Sequence, residues 1–298
     1  MVTGVSTDYS SALEWPGGAR MAAAITFDVD AESALLHNVT GMRARQSALS
    51  QANYDLIAVP RIIEMYQRLG ITQTFFVPGW VIERYPWLAE AIVGAGHELA
   101  LHGYRHVSAH DMAADEEAED VAMACAVLDT VLGRASAGWR GPTYGYSTHT
   151  TELLVAHGIT YDSTLMGHHL PYVVESGGSR LIELPVDWAN DDWPQYAQSF
   201  EFAYHMPIRP AQVALEVYRA EIAAAKRLGA LWIGVWHPFL SARPSRLDAI
   251  EDLARELRDD DDIWLAPLAD IAAHVQAQIE AGQYRPMTAT TLGEAGQP

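Results

Sequence analysis

Apolar and polar positions fall into blocks along this chain, and two block types take turns. Short apolar or β-branched runs predict strands at Ala22–Phe27, Thr72–Val77, Glu98–Leu101 and Ala137–Arg140. Four more follow at Thr160–Ser163, Leu181–Val186, Leu231–Trp236 and Asp262–Ala266. Between most of them apolar residues recur at helical spacing, over Asp55–Leu69, Ile82–Val93, Ala113–Leu132, Thr148–His157, Pro210–Leu228 and Ser245–Leu257. Gly70, Gly94, Gly133, Gly158 and Gly229 close the helical stretches, as helix-stop glycines do.

Strand–helix alternation over the full length predicts a parallel α/β architecture. Seven or eight such units suggest a closed or nearly closed (β/α) barrel. We read residues 1–298 as a single catalytic domain with a core of about 15–282. An N-terminal arm, 1–20, and a tail, 283–298, lack periodicity. They are expected to dock on the barrel or on a neighbouring subunit, so a homo-oligomer is expected. The irregular stretch Gly167–Ser179 is expected to be a loop at the barrel mouth.

Barrel chemistry sits at the C-terminal strand ends. Asp28 and Asp30 end the first strand, His102 the third, Arg140 the fourth, Asp187 the sixth and His237 the seventh. Polar groups at the same end of successive strands can converge on one mouth. In ELALHGYRHVSAH (Glu98–His110), two imidazoles stand four apart, at His102 and His106. With a carboxylate from TFDVD (Thr26–Asp30) they make three ligands with an open position, the layout of a catalytic zinc site. One of the two acids can bind metal while the other takes a proton from an activated water. His110 continues the spacing but precedes Asp111 and a helix, which favours a surface or cap role.

In RGPTYG (Arg140–Gly145), Arg140 could pair bidentately with the base and hold it ionised. The turn could aim a backbone N–H at an oxyanion, with Tyr144 the expected donor. In WHPF (Trp236–Phe239), His237 suits a general acid. In PVDWANDDW (Pro185–Trp193), Asp187, Asp191 or Asp192 could hydrogen-bond His237 and keep it protonated. Trp188, Trp193 and Trp236 are candidate pocket walls.

Composition narrows the partners. The net charge of −19 argues against nucleic acid and anionic membranes, which attract clustered Lys and Arg. A small-molecule or carbohydrate substrate is compatible with it. The single cysteine, Cys125, permits no internal disulfide and lies mid-helix among core residues. No apolar run approaches the ~18 residues of a membrane span. With no basic, apolar leader at the N-terminus either, a cytoplasmic location is expected.

These motifs, in this order, resemble the polysaccharide deacetylase family (NodB homology, carbohydrate esterase family 4), over about Trp15 to Ala273. The resemblance implies a distorted, incomplete TIM-like barrel of about seven strands and a divalent metal of the Zn2+ type. It implies Asp28 as base, Asp30, His102 and His106 as metal ligands, Arg140 as the residue orienting the base and His237 as acid. The usual adjacent Asp pair is split here by Val29, and the second motif reads H-G-Y-R-H. Ala189 stands where a D-x-x-D-W pattern would have its first Asp, which leaves the partner of His237 open among Asp187, Asp191 and Asp192. These features look more like the intracellular branch, which includes peptidoglycan-deacetylase-like proteins, metal-independent allantoinases and cyclic imide hydrolases.

The reading is therefore a metal-dependent hydrolase of a non-peptide C–N bond, deacetylase-like, with opening of a cyclic imide or ureide as the alternative. A non-haem iron oxygenase would also use two His and one carboxylate, but on a jelly-roll scaffold that the helical spacing contradicts. A binding module without catalysis would not need the acid–base set of Asp28, Arg140 and His237.

Overall fold

The computed structural model describes residues 13–37, 40–199 and 204–290. The outer parts of the two expected arms, 1–12 and 291–298, lie outside the described residues. The strands are β1 (Met21–Asp28), β2 (Thr74–Val77), β3 (Glu98–Leu101), β4 (Gly138–Trp139), β5 (Tyr161–Asp162) and β6 (Tyr172–Ser176). They continue with β7 (Ser179–Glu183), β8 (Gln198–Ser199), β9 (Tyr204–His205), β10 (Leu231–Trp236), β11 (Ile263–Leu265) and β12 (Thr288–Thr290). The helices are α1 (Ser33–Leu36), α2 (Gln46–Ala52), α3 (Asp55–Leu69), α4 (Gly79–Arg84), α5 (Pro86–Gly94) and α6 (Ala114–Leu132). After them come α7 (Thr150–Ala156), α8 (Trp193–Tyr196), α9 (Ala211–Leu228), α10 (Pro238–Ser241), α11 (Pro244–Asp259) and α12 (Leu268–Glu280).

The main sheet runs β10-β1-β2-β3-β4-β5-β7-β6-β12, with β11 also paired to β1. From β10 to β7 every pairing is parallel, which gives seven parallel strands. The path ends at β10 and β12 without joining them, so this is an open, distorted (β/α) barrel.

Strand parity splits the core in two, because successive side chains face opposite ways. On β1, Met21, Ala23, Ile25 and Phe27 pack with Val59, Ile62 and Tyr66 of α3 on the helix side. Ala22 and Ala24 pack inward with Phe76, Ala100, Ile233 and Val235. Thr26 and Asp28 share that inward parity, which carries the last carboxylate of β1 toward the barrel axis.

Three local features depart from the sequence reading. Gly167–Ser179 is not a plain mouth loop: β6 pairs antiparallel with β7 through a tight turn. Gly177 and Gly178 both take positive φ, 55° and 84°, as a two-residue hairpin turn of this hand requires. The run Ile82–Val93 is two helices, because Pro86 cannot continue α4 and begins α5 instead. The helix α12 follows β11 where no helix was expected. The described part of the N-terminal arm docks on the barrel, with Trp15 Nε1 donating to the Gly229 carbonyl at 2.9 Å. No helix among the described residues is long and apolar enough to cross a membrane.

Candidate active site

Four strand ends deliver the chemistry. Asp28 is the last residue of β1, and His102, Arg140 and His237 each follow the last residue of β3, β4 and β10. All four are buried. Asp30 stands two residues past Asp28, on a turn with its own supports. The Asp30 carbonyl accepts from the Ser33 amide and hydroxyl, and the Ala31 amide, at φ 45°, donates to buried Asp55 on α3. His106 ends the loop after β3 with φ 56°, a conformation that non-glycine residues keep only when their surroundings impose it.

These elements bring Asp30, His102 and His106 together. Asp30 Oδ1 lies 3.6 Å from His102 Nε2, and Asp30 Oδ2 lies 3.4 Å from His106 Nε2. Both Asp30 oxygens are buried and lack a hydrogen-bond partner among the described residues. A buried carboxylate left without donors is costly, so this group calls for a ligand. Tetrahedral coordination at ~2.0–2.1 Å separates neighbouring ligand atoms by roughly 3.4 Å, close to what is seen. His102 Nδ1 sits 2.7 Å from the Arg140 carbonyl, which fixes Nε2 as the nitrogen facing the cluster. Burial lowers the His102 pKa to about 4, against the pull of Asp28 and Asp30, so the ring is neutral and able to ligate at pH 7. Burial works against an ionised Asp30, yet His106, His102 and His237 hold it well below the usual carboxylate range. The residues present fit a divalent cation.

Asp28 is placed differently. Its Oδ1 accepts Arg140 Nη1 at 2.7 Å, while Oδ2 lies 3.9 Å from His102 Nε2. Arg140 is fully buried and immobilised on every side. Its Nη1 also meets Thr26 Oγ1, Nε and Nη2 reach the carbonyl and hydroxyl of Ser163, and the guanidinium lies 4.0 Å from the Phe76 ring centroid. The pairing with Asp28 runs through one carboxylate oxygen, so the bidentate arrangement expected from the sequence is not formed.

On the facing side, His237 Nδ1 lies 2.6 Å from Asp192 Oδ1, and the His237 amide donates to Asp192 Oδ2 at 2.9 Å. Ser241 Oγ donates to the same Oδ2 at 2.5 Å. Burial alone would lower the His237 pKa, but the charge and hydrogen bond of Asp192, aided by Asp30 and Asp191, raise it well above the ordinary histidine value. These partners favour the protonated ring, whose Nε2 stands 3.8 Å from Asp30 Oδ2.

One pocket of about 270 Å3 contains Asp28, Asp30, His102, His106 and His237. Its remaining lining is Ala34, Leu35, Gly141, Thr143, Tyr144, Trp188, Asp191 and Trp193. The Trp193 ring meets His237 edge to face, with centroids 5.2 Å apart.

Four sequence-based placements need correction. Asp187 is exposed and accepts the Ala189 amide at 2.7 Å, so it caps a short turn and does not reach His237. Trp236 is fully buried among Phe27, Tyr218 and Trp232 on the helix side, one residue out of phase with the pocket. The Tyr144 amide already donates to the Gly141 carbonyl at 3.0 Å, so it is not available to an oxyanion. In that turn the amide of Thr143, at φ 53°, makes no hydrogen bond to the described residues. The Gly167–Ser179 stretch contributes nothing to the pocket lining.

Sequence reasoning also passed over Asp191 as more than a partner for His237. It lines the pocket, accepts the Tyr144 hydroxyl at 2.5 Å and the Trp193 amide at 2.7 Å, and burial raises its pKa to about 7. The supporting residues Asp55, Asp120, Ser163 and Ser241 carried no motif signal.

Comparison with known proteins agrees with this geometry. Residues 54–161 match the family described as polysaccharide deacetylase. The Helicobacter pylori peptidoglycan deacetylase is 30% identical over 162 residues, 46% of this chain and 55% of that protein. The chain spans about half the length of the curated relatives it matches. A crystal structure from Mycobacterium smegmatis, described as a polysaccharide deacetylase, covers 99% of this chain and 100% of its own at 37% identity and TM-score 0.90. PuuE allantoinase shares the fold over 92% of this chain and 95% of its own, with TM-score 0.79 and 21% identity. A likeness to one structure that runs the full length of both chains, with the site residues converging at the strand ends, leads to one conclusion: the chain belongs to the polysaccharide deacetylase family.

Proposed function

We propose that this protein is a metal-dependent hydrolase of a non-peptide C–N bond, with an N-acylated sugar of the peptidoglycan type as its first candidate substrate. One observation carries the reading. The carboxylate of Asp30 with His102 and His106, Asp28 held from behind by Arg140, and His237 held from behind by Asp192 share a single pocket, which Asp28, Asp30 and the three imidazoles line.

A divalent cation, Zn2+ by the donor set, would be held by Asp30, His102 and His106 and would polarise the scissile carbonyl and acidify the attacking water. Asp28 accepts the proton that the water gives up as its oxygen bonds to the carbonyl carbon. Arg140 aims Asp28 through its hydrogen bond to Oδ1. The Thr143 amide is the donor available to the oxyanion. His237 then gives its proton to the departing nitrogen as the C–N bond breaks, and Asp192 stabilises the imidazolium beforehand. Tyr144, Trp188 and Trp193 wall the substrate.

A second reading, opening of a small cyclic imide or ureide, has its own support. The pocket is at the small end for ligand sites. Apart from the groups assigned chemical roles, Asp191 and the Thr143 and Tyr144 hydroxyls, its walls offer only Ala34, Leu35, Gly141 and two tryptophans. Few of these could bind the hydroxyls of an extended glycan.

The test is product analysis with N-acetylated chitooligosaccharides, peptidoglycan fragments, succinimide, hydantoin and allantoin, with and without chelator. Acetate release sensitive to chelator supports the first reading, and ring-opened product without acetate supports the second. Turnover that survives complete metal removal contradicts the metal-dependent reading.

A further inference from the structure

The loop that carries the second imidazole is not held by the motif itself. His102, Gly103, Tyr104, Arg105 and His106 leave the end of β3 as an open turn, with left-handed backbone at Gly103 (φ 67°) and His106 (φ 56°). Such a turn leaves its own N–H and C=O groups unpaired, so partners must come from elsewhere. They come from two helices. Gly79 and Trp80, at the start of α4, donate their amides to the carbonyls of Gly103 and Tyr104 at 2.8 and 2.9 Å. The amides of Tyr104 and Arg105 go to a single side chain, Asp120 in the middle of α6, at 2.7 and 3.2 Å.

Asp120 is 2% exposed and also accepts Arg105 Nε at 3.0 Å. One carboxylate thus binds two consecutive backbone amides and the side chain between them and His106. The fit is close: a Cβ on Gly103 would come within 2.9 Å of Pro142 Cγ and 3.2 Å of Asp120 Oδ2. A Cβ on Gly79 would meet the Tyr104 ring at 2.7 Å and the Ala124 backbone at 3.0 Å, so α4 and α6 close directly on the loop. His106 follows this clamped pair at once. Its unfavourable φ needs surroundings that impose it, and the clamped residues just before it are part of them.

We propose that Asp120 is a positioning residue for the metal centre: by clamping the amides of Tyr104 and Arg105 it holds His106 in ligand geometry before any cation arrives. The inference rests on the metal-dependent reading above. It differs from a merely structural role in what it should change. A residue that only adds stability lowers the melting temperature and leaves the affinity of the folded protein for metal alone. A residue that sets the ligand geometry lowers that affinity even where the chain is fully folded.

The experiment titrates Zn2+ and Co2+ into metal-free wild type, Asp120→Asn, Asp120→Ala and Val121→Ala, against a competing chelator, well below each melting point. Val121 is the neighbouring core residue on α6 and its side chain can make no hydrogen bond, so its variant reports loss of packing with the carboxylate clamp left in place. The expected result is metal affinity about 10–100-fold weaker for Asp120→Ala, a smaller loss for Asp120→Asn, and a change within twofold for Val121→Ala. The Co2+ visible spectrum of the Asp120 variants should shift as well, because the coordination geometry changes. If Asp120→Ala does not fold, Asp120→Asn carries the comparison, since it keeps one acceptor oxygen. Wild-type affinity in the Asp120 variants overturns the inference, and so does an equal loss in Val121→Ala. Wild type that binds neither ion overturns the inference together with the metal-dependent reading, whereas tight wild-type binding with unaffected Asp120 variants overturns the inference alone.

Discussion

Each end of this barrel sets a carboxylate beside a buried histidine, half-buried Glu98 at one and fully buried Asp30 at the other, and the two ends treat the acid in opposite ways. At the N-terminal end, Glu98 accepts Thr74 Oγ1 at 2.7 Å, the Tyr161 hydroxyl at 2.7 Å and the Ala269 amide at 2.9 Å. The neighbouring His97 accepts the Gln73 amide through Nδ1 and packs against the rings of Tyr66 and Phe75. At the C-terminal end, neither oxygen of Asp30 has a hydrogen-bond partner among the described residues, and imidazole nitrogens stand at 3.4 and 3.6 Å. Burial alone therefore does not mark a site. An acid whose acceptors are filled from strand and helix ties the fold together, whereas a buried one that faces imidazole nitrogens at ligand spacing, with no hydrogen bond filling its oxygens, is arranged for a cation.

That contrast can be broken by substitution. The largest effect belongs to the C-terminal end: His102→Ala should abolish both metal binding and turnover, well beyond the ~10–100-fold cost of losing an outer partner. Metal analysis of the purified variant checks it. Next, His237→Ala should keep its metal and lose about 10²–10⁴-fold in kcat. Asp192→Asn should act in the same direction by another route. Removing the charge that raises the His237 pKa lets burial lower it, so the fall of kcat at high pH should move to lower pH in a pH–rate profile.

The N-terminal end should respond only in stability. Glu98→Gln turns an acceptor oxygen into a donor and should cost about 1–3 kcal/mol by thermal or denaturant unfolding, with metal content and kcat/KM within twofold of wild type. Smallest is the contribution of His97. Burial lowers its pKa from 6.5 to about 4, so the unfolded chain takes up the proton first as pH falls. Stability is full above pH ~6.5, where both states are neutral, and falls as the pH drops toward 4. Replacing His97 by Gln should flatten that part of the stability–pH curve. A kinetic defect in Glu98→Gln or His97→Gln would mean that the two ends are not separate in function.

The strand ends were legible in the sequence because each chemical residue follows an apolar run: Asp28 after AAAITF, His102 after ELAL, His237 after LWIGVW. Facing was less legible. The run Leu231–Trp236 is buried on both sides, so nothing in its pattern says that Trp236 faces the helices while His237 turns to the pocket. Asp187 and Asp192 are indistinguishable as letters, and only the turn between them puts the second under His237. The hairpin of β6 and β7 was hidden because β6 is a short run between the polar, proline-ended GHHLP (Gly167–Pro171) and the Gly177–Gly178 turn, and the whole stretch reads as loop. Asp120 could not be found by motif at all: it lies on a helix, and its value comes from reaching across to amides 15 and 16 residues earlier.

The most direct test is the metal stoichiometry of the folded protein. Metal-free wild type and His102→Ala are each reconstituted with Zn2+, freed of excess by gel filtration and analysed for bound zinc per chain. The account predicts one tightly held ion per wild-type chain and none in the variant. Wild type that retains no zinc, or a variant that retains as much as wild type, would contradict it.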